Sequence, residues 1–354
     1  MVWDRRSITL TAAGVAAAVA LAVAGIIIAT RGDTAGHLAS APKPPASPSP
    51  SPSPSHQGPL RSPFTGERVH RLKRVLITKI GNTFPERPPR GLARADIVYL
   101  IPVEGGLSRI MAVFSSHYPQ VIGPVRSARQ ADKDLLRQFG RPAFAWSGAQ
   151  PRLQWVIQHD WRIVKLFAGT TSGYFRSADR PEPYNLYANT RTLLQHARHA
   201  SLARDIGFRF GAAPNGGHHV KSESVSFPAA SFRFIWSPRQ HRWLVSMDGS
   251  PATSVGAGRL SAPTVVIQRV KVGLSSFLEQ GPMKPPDARS VGSGTALVLR
   301  NGEAYHARWS RPSANGGTRF TTSSGKPMTF ARGPVWIVLA YGPGSSHWRS
   351  GKPV

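Results

Sequence analysis

The chain has 354 residues, with 45 Lys and Arg against 17 Asp and Glu, a formal net charge of +28, and no cysteine. The missing cysteine excludes disulfides, thiolate catalysis, Cys-ligated zinc and a Cys-borne lipid, so stability rests on packed cores. A surface this basic attracts polyanions, and which polyanion depends on the side of a membrane on which the body lies.

Residues 8–30 give 23 consecutive uncharged positions, mostly Ala, Val, Ile and Leu. At about 1.5 Å rise per residue a helix of this length crosses the ~30 Å hydrocarbon core, whereas the apolar region of a signal peptide runs only ~7–15 residues. The pattern predicts a single N-terminal transmembrane helix, 8–30, behind a cytoplasmic head, 1–7. The alternative, a cleaved signal, rests on Ala39-Ser40-Ala41, which lies well beyond the apolar run and is followed by Pro42. Arg5 and Arg6 before the span and Arg31 and Lys43 after it nearly balance. The short head then favours a cytoplasmic N-terminus and an extracytoplasmic body. Only three Arg and one Asp lie in residues 1–31, so almost all of the charge excess belongs to that body. A Pro/Ser-rich stalk, 31–62, follows; polyproline II at about 3.1 Å per residue makes 41–58 a semi-rigid spacer reaching roughly 50 Å.

The body opens with an apolar run at Val75-Leu76-Ile77, read as a strand. Two more, 97–103 and 110–114, flank Gly105-Gly106 and predict a hairpin, and 121–125 continues the sheet. Ala128, Ala131, Leu135 and Phe139 then recur at helical spacing between Ser127 and Gly140. Strand 143–147, a short helix marked by Leu153, Val156 and Ile157, strand 163–167, a long loop 169–184 and a helix 190–203 complete an N-terminal α+β or α/β lobe with a mixed sheet, 63–210. A Gly-rich boundary loop, 211–224, leads to a smaller β-rich C-terminal lobe, 225–345, and a tail, 346–354. In that lobe Phe232, Phe234 and Trp236 alternate with polar residues, as do Trp243, Val245 and Met247, which predicts a second hairpin. Asn301-Gly302 predicts a two-residue turn with positive φ.

At Asp96-Ile97-Val98-Tyr99, Val103-Glu104-Gly105-Gly106-Leu107-Ser108-Arg109 and Ile122-Gly123-Pro124-Val125-Arg126-Ser127-Ala128-Arg129 the chain resembles the bacterial DUF3048 family, also called YerB-like lipoproteins. Pro183-Tyr184-Asn185-Leu186-Tyr187, Val291-Gly292-Ser293-Gly294, Arg300-Asn301-Gly302 and Trp336 extend the resemblance from about residue 64 to 341. It implies an envelope-anchored protein with N-terminal and C-terminal family domains and no settled activity. Two positions depart from the family pattern: Gly81 stands where an Asp is usual, and Tyr184 where a His is usual. Any shared chemistry that requires that carboxylate or imidazole is thereby put in doubt.

The best candidate site is Arg126-Ser127-Ala128-Arg129 with Asp132. A helix start offers free N–H groups and a partial positive charge, and guanidiniums add bidentate donors, which suits a phosphate or carboxylate. Ser127 would cap the helix and Asp132 would orient an Arg; the same residues also suit a purely structural cap with ion pairs. Arg109, Arg126, Ser127, Arg129 and Asn185 form the expected ligand-binding set. Glu104 and Asp132 are the candidate acid/base groups, although Glu104 equally suits an ion pair with Arg109. No Gly-x-Ser-x-Gly elbow, P-loop or His-Glu-x-x-His is present. His196, His199, His218 and His219 lack nearby acids, so neither a metal nor another cofactor is expected.

The leading expectation is an extracytoplasmic envelope protein that binds an anionic cell-wall polymer or lipid headgroups, with no nucleic acid partner. Its rivals are an enzyme acting on a phosphate-linked envelope precursor and a scaffold for an envelope protein partner. For the scaffold, Trp236, Trp243, Trp309, Trp336 and Trp348 would be contact residues, unless they serve as core.

Overall fold

Alternation along one strand decides the architecture. In Ile97–Pro102, Ile97, Tyr99 and Ile101 belong to one buried cluster, and Val98 and Leu100 to another. A strand apolar on both faces sits in the middle of three layers. The computed structural model describes residues 58–277, 285–343 and 345, which fall within one compact unit, Gln57–Val354. The expected head, span, most of the stalk and the tail with Trp348 lie outside the described residues. Among the described residues no helix is long and apolar enough to cross a membrane.

The strands that matter are β1 (Leu76–Gly81), β2 (Ile97–Pro102), β3 (Ser108–Phe114), β4 (Ala143–Trp146), β5 (Val164–Phe167), β6 (Ser222–Phe227), β7 (Ala230–Ser237), β8 (Arg242–Met247), β9 (Thr264–Val270), β10 (Gly292–Arg300), β11 (Glu303–Arg311), β12 (Arg319–Thr322) and β13 (Val335–Tyr341). The helices are α1 (Gln130–Arg137), α2 (Pro151–His159) and α3 (Thr190–His196). An eleven-stranded sheet runs in the order β12-β11-β10-β9-β13-β2-β3-β1-β4-β5, with His218–His219 paired beside β11. It is mixed: β2 and β3 form the expected antiparallel hairpin, whereas β13 lies parallel to both β2 and β9. The last strand thus joins the two halves of the chain into one sheet.

Helices α1 and α2 cover one face, contributing Ala131, Leu135, Leu136, Leu153 and Ile157 to the cluster that holds Ile97 and Tyr99. The other face is covered by a second sheet built on β6, β7 and β8, whose Phe232, Phe234, Trp243 and Val245 pack with Val98 and Leu100, together with Leu193 of α3. β7 and β8 pair as the predicted hairpin, with Trp236 opposite Trp243. Asn301 and Gly302 adopt φ of 53° and 78°, the mirror-image turn that the Asn-Gly pair favours. Trp243, Trp309 and Trp336 are buried in these cores, not set out on a surface.

The mixed sheet and the β-rich C-terminal part follow the sequence pattern. The helical share is smaller than an α/β lobe predicts, and the described chain is mostly β. The helix expected over 190–203 stops at His196, because Ala197 leaves helical geometry. The one expected between Ser127 and Gly140 spans only Gln130–Arg137.

Candidate functional site

Two crossings bring the candidate residues together. The segment before α1 runs along the end of β1, with the Gly81 N–H donating to Pro124 O (2.9 Å) and the Arg126 N–H to Lys79 O (3.0 Å). On the neighbouring strand, Arg109 pairs with Gly81 and Met111 with Lys79. Because side chains alternate, Lys79 and Arg109 share the face of Ile77 and Met111, which is the face that α1 covers. The chain therefore delivers Lys79, Arg109, Arg126, Arg129 and Asp132 to one place.

Their charges are largely paired. Lys79 and Asp132 are fully buried and meet at 2.8 Å. The second Asp132 oxygen accepts the Arg129 backbone N–H at 2.7 Å. Glu104, on the turn after β2, pairs closely with Arg129. Arg126 Nε meets Glu86 Oε1 at 2.8 Å, and the other Glu86 oxygen accepts the Thr83 N–H and hydroxyl, both at 2.7 Å. Burial lowers the Lys79 pKa, against the opposing pull of Asp132. Burial and the neighbouring Arg129 bring Arg109 down to about 10. At Glu104 burial pulls upward, but the hydrogen bond and charge of Arg129 prevail and hold the carboxyl below its ordinary value.

Several expectations change. Ser127 is not the cap, because the helix begins at Gln130 and Asp132 in its first turn binds the N–H of Arg129, the capping residue. Ser127 instead offers its carbonyl to Arg109 at 3.0 Å. Glu104 pairs with Arg129, not Arg109, since the turn carries it over the start of α1. Asn185 lies outside the cluster: its amide accepts from Arg176 at 2.8 Å and donates to Ser177 O at 3.0 Å, closing its own loop. That loop still touches the cluster, as Arg126 donates to Pro183 O (2.8 Å) and its guanidinium lies 5.6 Å from the Tyr184 ring centre. Among the described residues there is no group of three or more His, Asp or Glu able to hold a metal.

Sequence reasoning missed Lys79 and Glu86 as members. Lys79 sits inside an apolar strand, where only its charge could have flagged it. Glu86 carried a readable signal, since Thr83-x-x-Glu86 is a capping-box pattern. It also bears on the departure at Gly81. A Cβ placed there would lie 2.2 Å from the Glu86 carboxyl carbon, so the Glu86 carboxylate occupies the space of a side chain at position 81.

Residues 64–203 match the profile described as "Protein of unknown function (DUF3048) N-terminal domain", and residues 224–337 match that of the DUF3048 C-terminal domain. The chain is 24% identical over 304 residues to the protein named "Putative lipoprotein YerB" of Bacillus subtilis (strain 168), a match spanning 78% of this chain and 85% of that one. The crystal structure of the YerB protein from Bacillus subtilis shares the fold, with a TM-score of 0.67 at 20% identity over 79% of this chain and 96% of that one.

Proposed function

Because the chain belongs to the DUF3048 family, we propose that it is a membrane-anchored, extracytoplasmic envelope protein that binds an anionic wall or lipid-linked ligand at the start of α1. One observation carries this reading. Glu86, Glu104 and Asp132 are each engaged by Arg126, Arg129 and Lys79, while Arg109, the fourth cation of the cluster, has no ion pair among the described residues. Beside it, the partly exposed Ser127 hydroxyl has no hydrogen-bond partner among the described residues. A phosphate or carboxylate oxygen at Arg109 and Ser127 supplies the missing negative charge with charge-assisted hydrogen bonds.

The same pairing favours binding over general-acid catalysis. A general acid needs a proton at working pH, whereas Glu104 is held ionised by Arg129, and Asp132 is sealed from solvent against Lys79. The relative is named a lipoprotein, whereas this chain has no cysteine to carry a lipid. Attachment here falls to the apolar segment 8–30.

Cosedimentation of the full chain with purified wall polymer, and with phosphatidylglycerol or phosphatidylcholine nanodiscs as separate arms, tests the reading across a salt series. Arg109→Gln and Ser127→Ala are the informative variants. Arg126→Ala or Arg129→Ala would strand Glu86 or Glu104 and mix binding with folding. Binding that weakens with salt and falls in Arg109→Gln supports the proposal. Binding absent at low salt, or unchanged in Arg109→Gln, overturns it.

A further inference from the structure

The opposite end of the same strands holds a second group of cations. The chain enters β1 through Lys73 and Arg74, enters β2 after Arg94, and leaves β3 through residues 115–120. A cavity of about 440 Å³ opens there, lined by Lys73, Arg94, His117, Tyr118, Pro119 and Gln120, with no carboxylate in its wall. Among the described residues none of Lys73, Arg94 and His117 forms an ion pair. The nearby carboxylate, Asp96, is buried and turned to the backbone, accepting the Ser115 and Ser116 N–H groups at 2.6 and 2.8 Å.

The frame around these cations is fixed. The Ser115 hydroxyl donates to Lys73 O (3.0 Å), Lys73 Nζ to Ser116 O (2.8 Å), the Tyr118 hydroxyl to Arg74 O (2.5 Å) and the Thr190 N–H to Gln120 O (3.1 Å). Lys73 Nζ also lies 5.7 Å from the Tyr118 ring centre. The loop is therefore held on both flanks, while Arg94, His117 and Gln120 remain exposed at its mouth. The amides of His117, Tyr118 and Gln120 have no partner among the described residues.

We propose that this pocket binds a phosphate group. Lys73 and Arg94 supply charge, His117, Gln120 and the loop amides supply donors, and Tyr118 gives a flat wall for whatever the phosphate carries. Its several cations suit a phosphate better than a single carboxylate, and its volume leaves room beyond the anion itself. The pocket shares no residue with the start of α1. It lies the length of β1 away, roughly 20 Å at about 3.3 Å per residue. It is thus a separate site, and does not depend on the reading given to Arg109.

Phosphate on a lipid headgroup and phosphate free in solution or on a polymer present the same chemistry. Two arms of one hydrogen-exchange experiment separate them, using the full chain in nanodiscs. The first arm adds inorganic pyrophosphate to phosphatidylcholine discs; the second includes phosphatidylglycerol in the discs and adds no soluble phosphate. Slower exchange at His117, Tyr118 and Gln120 is expected, in the first arm for a soluble or polymeric source and in the second for a headgroup. Arg94→Gln/His117→Gln should raise the pyrophosphate or lipid concentration needed by about tenfold or more. Both side chains are exposed and without hydrogen bonds in the fold, so the variant tests binding and not folding. Arg109→Gln should remove the response at the start of α1 and leave this one. No protection at these amides in either arm, or protection at unchanged affinity in the double variant, overturns the proposal.

Discussion

The two ends of β1, β2 and β3 treat the same residue types in opposite ways. At the start of α1, Lys79 is fully buried, Arg126 and Arg129 are mostly covered, and Asp132, Glu86 and Glu104 stand against them. At the other end Arg94 and His117 face water and form no ion pair among the described residues, while the buried carboxylate there, Asp96, accepts the Ser115 and Ser116 N–H groups. Burial explains the difference. A charge removed from water must be compensated, whereas an exposed one is solvated at little cost. In a chain with only 17 acids, placing three at one cluster leaves the rest of the surface strongly basic.

The largest effect should come from breaking the pair that both sides bury. Lys79→Met leaves Asp132 sealed without its cation, and should cost about 3–5 kcal/mol in denaturant unfolding. Lys79→Met/Asp132→Asn should recover part of that loss, because Asn keeps an oxygen for the Arg129 N–H and neither member of the pair is left charged. A loss below about 1 kcal/mol for the single variant would mean that the pair is not the keystone of this end.

Much of this end was legible. The apolar runs of β2 and β3, the Gly105-Gly106 turn and the helical spacing after Ser127 placed Glu104, Arg109, Arg126, Arg129 and Asp132 near one another. The pairings were not, because they depend on the one-residue alternation that turns Lys79 and Arg109 toward α1 and on the path of residues 121–129 along β1. Ser127 looked like a cap by residue type, yet the helix starts two residues later than that requires, with Arg129 at the cap position and its N–H bound by Asp132. The continuous sheet was hidden for a different reason. Composition changes near 211–224, but β13 pairs with β2 across more than half of the chain, and no local pattern announces a parallel pairing at that distance.

The comparison sharpens next at Asp96, a buried carboxylate with no ion pair among the described residues. Burial pushes its pKa up to about 6, against the pull of the Ser115 and Ser116 N–H groups, from an ordinary 3.8. With the folded value above the unfolded one, Asp96 favours the fold below about pH 4, and that contribution is lost as pH rises through about 6. The difference amounts to on the order of 3 kcal/mol. Asp96→Asn keeps an acceptor for both N–H groups, so its stability relative to the wild type should rise between about pH 4 and 6 and stay level above. Parallel pH dependences for the two proteins in urea would refute the assignment. Glu104, held below its ordinary value, acts in the opposite sense and loses its contribution as pH falls.

At the α1 end, Gly81→Ala places a methyl group 2.2 Å from the Glu86 carboxyl carbon. Glu86 must then leave Arg126 and Thr83, or the strand must shift. The expected cost is about 1–3 kcal/mol in the wild type and much less when the change is added to Glu86→Ala, where the space is free again. Simple additivity of the two changes would mean that Glu86 does not occupy that place.

The smallest effect is expected where the charges are unpaired. Arg94 and His117 are exposed, bond to nothing in the fold and line a cavity without acids. Arg94→Gln/His117→Gln should change unfolding stability by no more than about 0.5 kcal/mol in low salt. Relief of repulsion between Arg94 and Lys73, which line the same cavity, would make the change slightly favourable, and raising the salt should erase it. A fold optimised only for stability gains nothing from Arg94 beside Lys73 in a cavity whose wall holds no carboxylate. A double variant that unfolds more readily by several kcal/mol would show that these side chains hold the loop and remove the contrast between the two ends. A neutral or slightly stabilised variant that loses phosphate protection would instead show charge kept there at no benefit to the fold, which is what a binding site requires.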